Sequence, residues 1–67
     1  MNKTQEVARI MRESVEVRLS PDKLAKRAGI HRTTWYRCRE EPNRLTLDVL
    51  GKLEKAIAAE RAERANA

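Results

Sequence analysis

Leu19-Ser20-Pro21-Asp22-Lys23-Leu24-Ala25-Lys26-Arg27-Ala28-Gly29-Ile30-His31-Arg32-Thr33-Thr34-Trp35-Tyr36-Arg37 is the stretch on which the reading of this chain turns. Ser20 can cap a helix, Pro21 suits its first position, and Asp22 favours the positive end of the helix dipole. Leu19 and Leu24 hold the two positions of a hydrophobic staple. The helix is expected to run to Ala28 and to stop at Gly29, because a left-handed residue at the helix end is easiest for glycine. A second helix is expected over 32–40. His31 is a poor capping residue there, but Ile30 and Trp35 repeat the staple spacing. Glu41-Pro42 ends this helix, since a residue before proline avoids helical angles.

The result is helix, three-residue turn, helix over 21–40. Two helices that cross closely need a small residue at the crossing, and Ala25 supplies it. The turn needs a positive backbone angle and an apolar plug, which Gly29 and Ile30 supply. The second helix needs an apolar inner face, met by Trp35 and Cys38, and a polar outer one, met by Thr33, Tyr36 and Arg37. These are the requirements of a helix pair that reads the major groove of DNA.

Outward from this centre, a first helix is expected from Asn2 or Thr4, with Val7, Ile10, Met11 and Val15 on its inner face. Arg9 with Glu13 and Arg12 with Glu16 are spaced as i,i+4 pairs. Val15, Val17 and Leu19 alternate as in a strand, so the helix end is expected to fray into an extended linker. Downstream, Thr46 can cap a last helix with Asp48 in its first turn. Leu45 and Leu50 form a third staple, and Leu47, Leu50, Leu53 and Ile57 an apolar stripe. Asp48 with Lys52 and Glu60 with Arg64 add further i,i+4 pairs. A helix over 47–65 would be about 28 Å long. Its alanine-rich end, 58–67, reads either as a frayed tail or as a helical extension that packs on a partner.

The 67 residues leave room for one domain, read as 1–67, with roughly 60% of the chain's surface buried on folding. A charged share of 37% beside a hydrophobic share of 40%, with two glycines and two prolines, points to helix rather than to disorder or hairpins. The net charge of +5 is localised. Eight basic residues against three acids lie between Arg18 and Arg44, and the rest of the chain is balanced. A basic middle third implies a polyanionic partner. The lone Cys38 fits a reducing cytoplasm and is read as a small core residue. One His and one Cys do not make a structural zinc site, and no catalytic motif stands out. No signal peptide or membrane span is expected. The chain is therefore read as a non-enzyme with no cofactor and no small-molecule substrate.

The quoted stretch, with its leucine-alanine and glycine-aliphatic positions and its threonine-rich second helix, resembles the Cro and phage-repressor (XRE) helix-turn-helix family. Thr46-Leu47-Asp48-Val49-Leu50-Gly51-Lys52-Leu53 is similar to the helix that follows in that family. The resemblance covers about three-quarters of the chain. It implies an all-α, lambda-repressor-like domain of four helices, with room for a fifth, whose recognition helix 32–40 enters the major groove. By the same resemblance Arg32, Thr33, Tyr36 and Arg37 face bases, and Ser20, Thr34 and Arg44 contact phosphates. Side-chain chemistry agrees, since arginine can hold guanine O6 and N7 and a threonine methyl can touch thymine. Lys23, Lys26 and Arg27 add sequence-independent attraction to phosphate. Where many relatives carry glutamate this chain has Arg39, which removes the usual ion pair to the first helix unless Glu13 or Glu16 restores it with reversed polarity. Trp35 stands in place of an aliphatic residue, and Pro21 lacks a backbone donor for phosphate.

The function implied is a phage- or mobile-element-type repressor that binds a palindromic operator in double-stranded DNA as a homodimer. An antitoxin or adaptor that uses the same fold to hold a protein through 58–67 is the competing reading. A basic amphipathic surface for anionic membranes is a third, which leaves the Gly29 turn and the three caps unexplained.

Overall fold

Residues 1–66 are described by a computed structural model, in which four helices surround one cluster of apolar side chains. Helix α1 spans Lys3–Glu16, α2 Pro21–Ala28, α3 Arg32–Glu40 and α4 Leu47–Ala65. A single 3₁₀ turn, Pro42–Arg44, joins α3 to α4.

Each helix begins where a side chain accepts from an otherwise unpaired backbone N–H. Asn2 accepts from Gln5 at 3.0 Å, Ser20 from Lys23 at 3.2 Å and Thr46 from Val49 at 3.1 Å. His31, which the sequence offers as a weak cap, also serves, because its Nδ1 accepts from the Thr33 N–H at 3.1 Å.

The end of α1 differs from expectation. The strand-like alternation does not produce an extended linker. Helix α1 holds to Glu16 and closes with Arg18 N–H donating to Val15 O at 2.9 Å and Leu19 N–H to Ser14 O at 2.8 Å. The same pair of bonds closes α2, from Gly29 to Lys26 O at 3.1 Å and from Ile30 to Ala25 O at 3.0 Å. Both closures need a left-handed residue. Gly29 takes φ 75° and Arg18 takes φ 60°.

The inner face of α1 is consequently Val7, Ile10 and Ser14, continued by Val17, and not Val7, Ile10, Met11 and Val15. Val15 is 74% exposed, and Met11 lies at the rim. Ser14 can occupy the inner line because its hydroxyl donates to Met11 O at 2.9 Å. Leu47 departs likewise. The buried positions of α4 are Leu50, Leu53, Ala56 and Ile57, on a line that Leu47 misses, and Leu45 fills the core just upstream. Leu47 is 74% exposed.

Ile10, Leu24, Trp35, Leu45, Leu53 and Ile57 are fully enclosed in one cluster. Side chains of this kind contribute roughly 1.5–3 kcal/mol each when removed from water. Ala25 is also fully buried, which lets α2 and α3 approach closely.

Charged pairs fasten α4 to the rest. Arg9 of α1 reaches Glu54 at 2.8 Å while bonding Glu6 at 2.6 Å and Glu13 at 3.3 Å on its own helix. These carboxylates hold the Arg9 guanidinium above its ordinary value, the Glu6 bond most strongly. Arg61 reaches back to Glu13 and Glu16, so Glu16 is met from α4 where a pair with Arg12 was expected. The Asp48–Lys52 and Glu60–Arg64 pairs form at 3.2 and 3.4 Å. Helix α4 keeps its form through Ala65, and of the 58–67 segment only Ala67 lies outside the described residues.

Candidate nucleic-acid interface

Helix α3 divides cleanly into two faces. Trp35 and Cys38 are 1% exposed and pack inward. Thr33, Thr34, Tyr36, Arg37 and Glu40 lie on the solvent side, with Arg32 at the entry to the helix. The side chains read from sequence as base contacts, Arg32, Thr33, Tyr36 and Arg37, are thus all on the surface. Glu40, which the sequence reading passed over, shares this outward arc, because it follows Thr33 by seven residues and Arg37 by three. That spacing is visible in the sequence.

The charge around this helix is arranged by α2. Lys23 and Lys26 are exposed on its outer face. Ser20 sits at its head, and its oxygen accepts from Lys23 N–H, which leaves the hydroxyl hydrogen free to donate. On the far side of α3, Thr34, Arg37 and Arg44 line one shallow depression of about 160 Å³ with Cys38 at its floor. Arg44 is steadied by its Nε donating to Glu41 at 2.8 Å. The structure therefore brings three of the expected contact residues together there, two of them cationic.

Arg27 shares a shallow surface with Lys23 and Lys26, but unlike them it is engaged by acids. Its guanidinium bridges Glu60, at 3.0 Å, and Glu63, and these carboxylates raise its pKa, the Glu63 bond foremost. In the structure Arg27, expected from sequence to face a phosphate, links α2 to α4. Arg39 departs as well. Glu13 and Glu16, the acids that could have restored its pair to α1, are taken by Arg9 and Arg61. Arg39 instead lies over the Tyr36 ring, 5.4 Å from its centroid, and its buried Nε has no hydrogen-bond partner among the described residues.

Tyr36 is held from both sides. Beneath the ring is Arg39, and at its tip the hydroxyl donates to Asp22 Oδ1 of α2 at 2.8 Å. The other Asp22 oxygen faces Arg32 Nη1 at 3.7 Å. Asp22, Tyr36 and Arg32 form one polar group across the mouth of the helix pair. The bond to Asp22, more than burial, pushes the Tyr36 phenol above its usual value. No sequence pattern signals this group, because Asp22 and Tyr36 are 14 residues apart and meet only through the fold.

Burial pushes the Cys38 thiol up, with Arg44 and Lys3 opposing, so it behaves as a small apolar group and not as a nucleophile. Among the described residues no three His, Cys, Asp or Glu side chains converge as a metal would require. No described helix is long and apolar enough to cross a membrane.

No curated protein and no solved structure matches this chain. The sequence over residues 9–58 does match the family described as the Cro/C1-type HTH DNA-binding domain, a span that holds the end of the first helix, both crossing helices and the apolar half of α4. With that match over most of its length and a helix pair whose second member presents a polar outer face, the chain belongs to the Cro/C1-type helix-turn-helix DNA-binding family.

Proposed function

We propose that this protein is a sequence-specific transcriptional regulator of the phage or mobile-element repressor type, which binds a palindromic operator as a homodimer. The observation that carries this reading is the outward face of α3, where Thr33, Tyr36 and Arg37 are exposed over a helix anchored by Trp35 and Cys38. In this reading Arg32, Thr33, Tyr36 and Arg37 face base edges in the major groove. Ser20, Lys23, Lys26, Thr34 and Arg44 hold the flanking phosphates. Arg27 is omitted, because Glu60 and Glu63 engage it. The protein acts in the compartment that holds the DNA, the bacterial cytoplasm, and carries no catalytic role.

The adaptor reading needs the 58–67 segment free to bind a partner. Glu60, Arg61 and Glu63 instead bond α1 and α2 of the same chain, which favours the DNA reading.

Selection of bound duplexes from random DNA tests the proposal. The expected result is a palindrome whose half-sites lie about one helical turn, ~34 Å, apart. Recovery of sequences with no common motif would count against base reading, and a single unrepeated half-site against the homodimer. On the selected duplex, Arg37→Ala is expected to cost about 1–3 kcal/mol and relax one base-pair position. Lys26→Ala is expected to weaken specific and random duplexes alike.

A further inference from the structure

The group formed by Asp22, Tyr36 and Arg32 carries a consequence for which bases the protein can read. A tyrosine hydroxyl has one hydrogen to donate and two lone pairs to accept with, whereas a carboxylate only accepts. In the structure that one hydrogen points to Asp22 Oδ1, over 2.8 Å. What Tyr36 can offer to a neighbour is therefore its lone pairs. The ring cannot swing away freely, since Arg39 covers one face and Asp22 holds the tip. Tyr36 is 39% exposed, so its oxygen remains within reach of a ligand.

Resting on the proposed placement of α3 in the major groove, we propose that Asp22 is a positioning residue that fixes Tyr36 as a hydrogen-bond acceptor, so that Tyr36 selects a base presenting an amino group. In the major groove those bases are adenine, through N6, and cytosine, through N4. Guanine O6 and N7 and thymine O4 are acceptors and would meet the Tyr36 oxygen lone pair to lone pair. The same geometry disfavours a phosphate partner for Tyr36, because phosphate oxygens also only accept. Arg32 is placed by the second oxygen of Asp22. Its guanidinium has five N–H donors, and the ion pair with Asp22, at 3.7 Å, leaves them open to a guanine edge. One carboxylate on α2 thus gives opposite tasks to two side chains of α3. Arg32 donates, and Tyr36 accepts.

The charged groups facing the Tyr36 hydroxyl are Asp22 from α2 and Arg32 and Arg39 from α3. Asp22 dominates them and holds the phenol above its usual value, which gives a readout that needs no DNA. The chain has one tyrosine, so its ionisation can be followed alone by ultraviolet absorbance.

The experiment uses the full chain, its Y36F and D22N variants, and the duplex recovered from random selection with all four bases placed in turn at each half-site position. The wild type is expected to show one position where adenine or cytosine is preferred to guanine or thymine. Y36F should flatten the preference at that position only. In D22N the amide can donate to the tyrosine oxygen and free its hydrogen, so the preference there should fall by roughly fivefold, the worth of one hydrogen bond. The phenol of D22N should also ionise at lower pH than that of the wild type. A Y36F-sensitive position that favours guanine or thymine would overturn the proposal, as would a D22N loss equal for every base. Matching phenol titrations in wild type and D22N would overturn it as well, while leaving a selected duplex and hence the DNA reading intact. Selection of no duplex at all would overturn the DNA reading and this inference with it, whatever the titration showed.

Discussion

Arg18 and Gly29 occupy equivalent places at the ends of α1 and α2, yet only one is glycine. A side chain in left-handed geometry costs about 1–2 kcal/mol, which glycine avoids. A Cβ built at Gly29 meets nothing within 4 Å, so alanine there suffers backbone strain without a clash. Gly29→Ala is accordingly expected to lower stability by about 1 kcal/mol. In a domain this small that is a fall in Tm of roughly 4–8 °C, measurable by thermal unfolding. Arg18→Gly should act in the opposite sense but more weakly, because the added freedom of glycine in the unfolded chain offsets about 0.5–1 kcal/mol of the relief. If the two substitutions shifted Tm in the same direction, the assignment of matching helix closures would be wrong. Tyr36 gives a pH dependence at the same scale. Its phenol is raised above 10.0 in the folded protein, so its contribution to stability is complete below that pH. The contribution fades as pH rises through the folded value. Unfolding scans above pH 10 should show a loss in the wild type that Tyr36→Phe lacks.

Caps belong to the scale of the helix, and two of them separate stability from binding. Ser20 and Thr46 each accept a hydrogen bond from the third residue on, and replacing either with alanine is expected to cost about 1 kcal/mol. Thr46→Ala should leave DNA affinity per folded molecule unchanged. Ser20→Ala should also weaken binding, since the proposed phosphate contact is lost, and equal effects of the two on affinity would remove Ser20 from the interface. These caps were legible in the sequence because capping is local, and so were the Leu19–Leu24 staple, the Gly29 stop and the burial of Trp35. What could not be read depends on which neighbour lies beside a helix. Val15 and Leu47 are apolar residues at helical spacing, and only the position of the core decides that they face water. Ser14 enters the core because Met11 O can accept its hydroxyl, a compensation that hydropathy does not register. The 3₁₀ turn Pro42–Arg44 and the Asp22–Tyr36 bond likewise follow from packing between distant segments.

Over the molecule as a whole, position rather than number decides what the basic residues do. Arg9, Arg27 and Arg61 are taken up by acids across the contacts of α4 with α1 and α2. Lys23 and Lys26 on α2 and Arg37 on α3 stay exposed with no ion-pair partner among the described residues, and Arg44 pairs only with its near neighbour Glu41. Part of the basic charge is in this way committed to the scaffold, while part stays open to a partner. Salt should separate these two populations. Each phosphate neutralised by a cation contributes about −0.9 to the slope of log affinity against log salt. With Lys23, Lys26 and Arg44 on phosphates in each of two protomers, the dimer is expected to show a slope near −5. Lys26→Ala should make that slope shallower by about 2, one contact being lost from each half-site. Arg27→Ala removes the same formal charge from the same helix, two turns or less from the proposed phosphate contacts. It should leave the slope where it was and lower the thermal midpoint instead, because what it loses is its hold on Glu60 and Glu63. Equal changes of slope in the two variants would mean that Arg27 leaves its acids for DNA, and the division of charge between scaffold and interface would not stand.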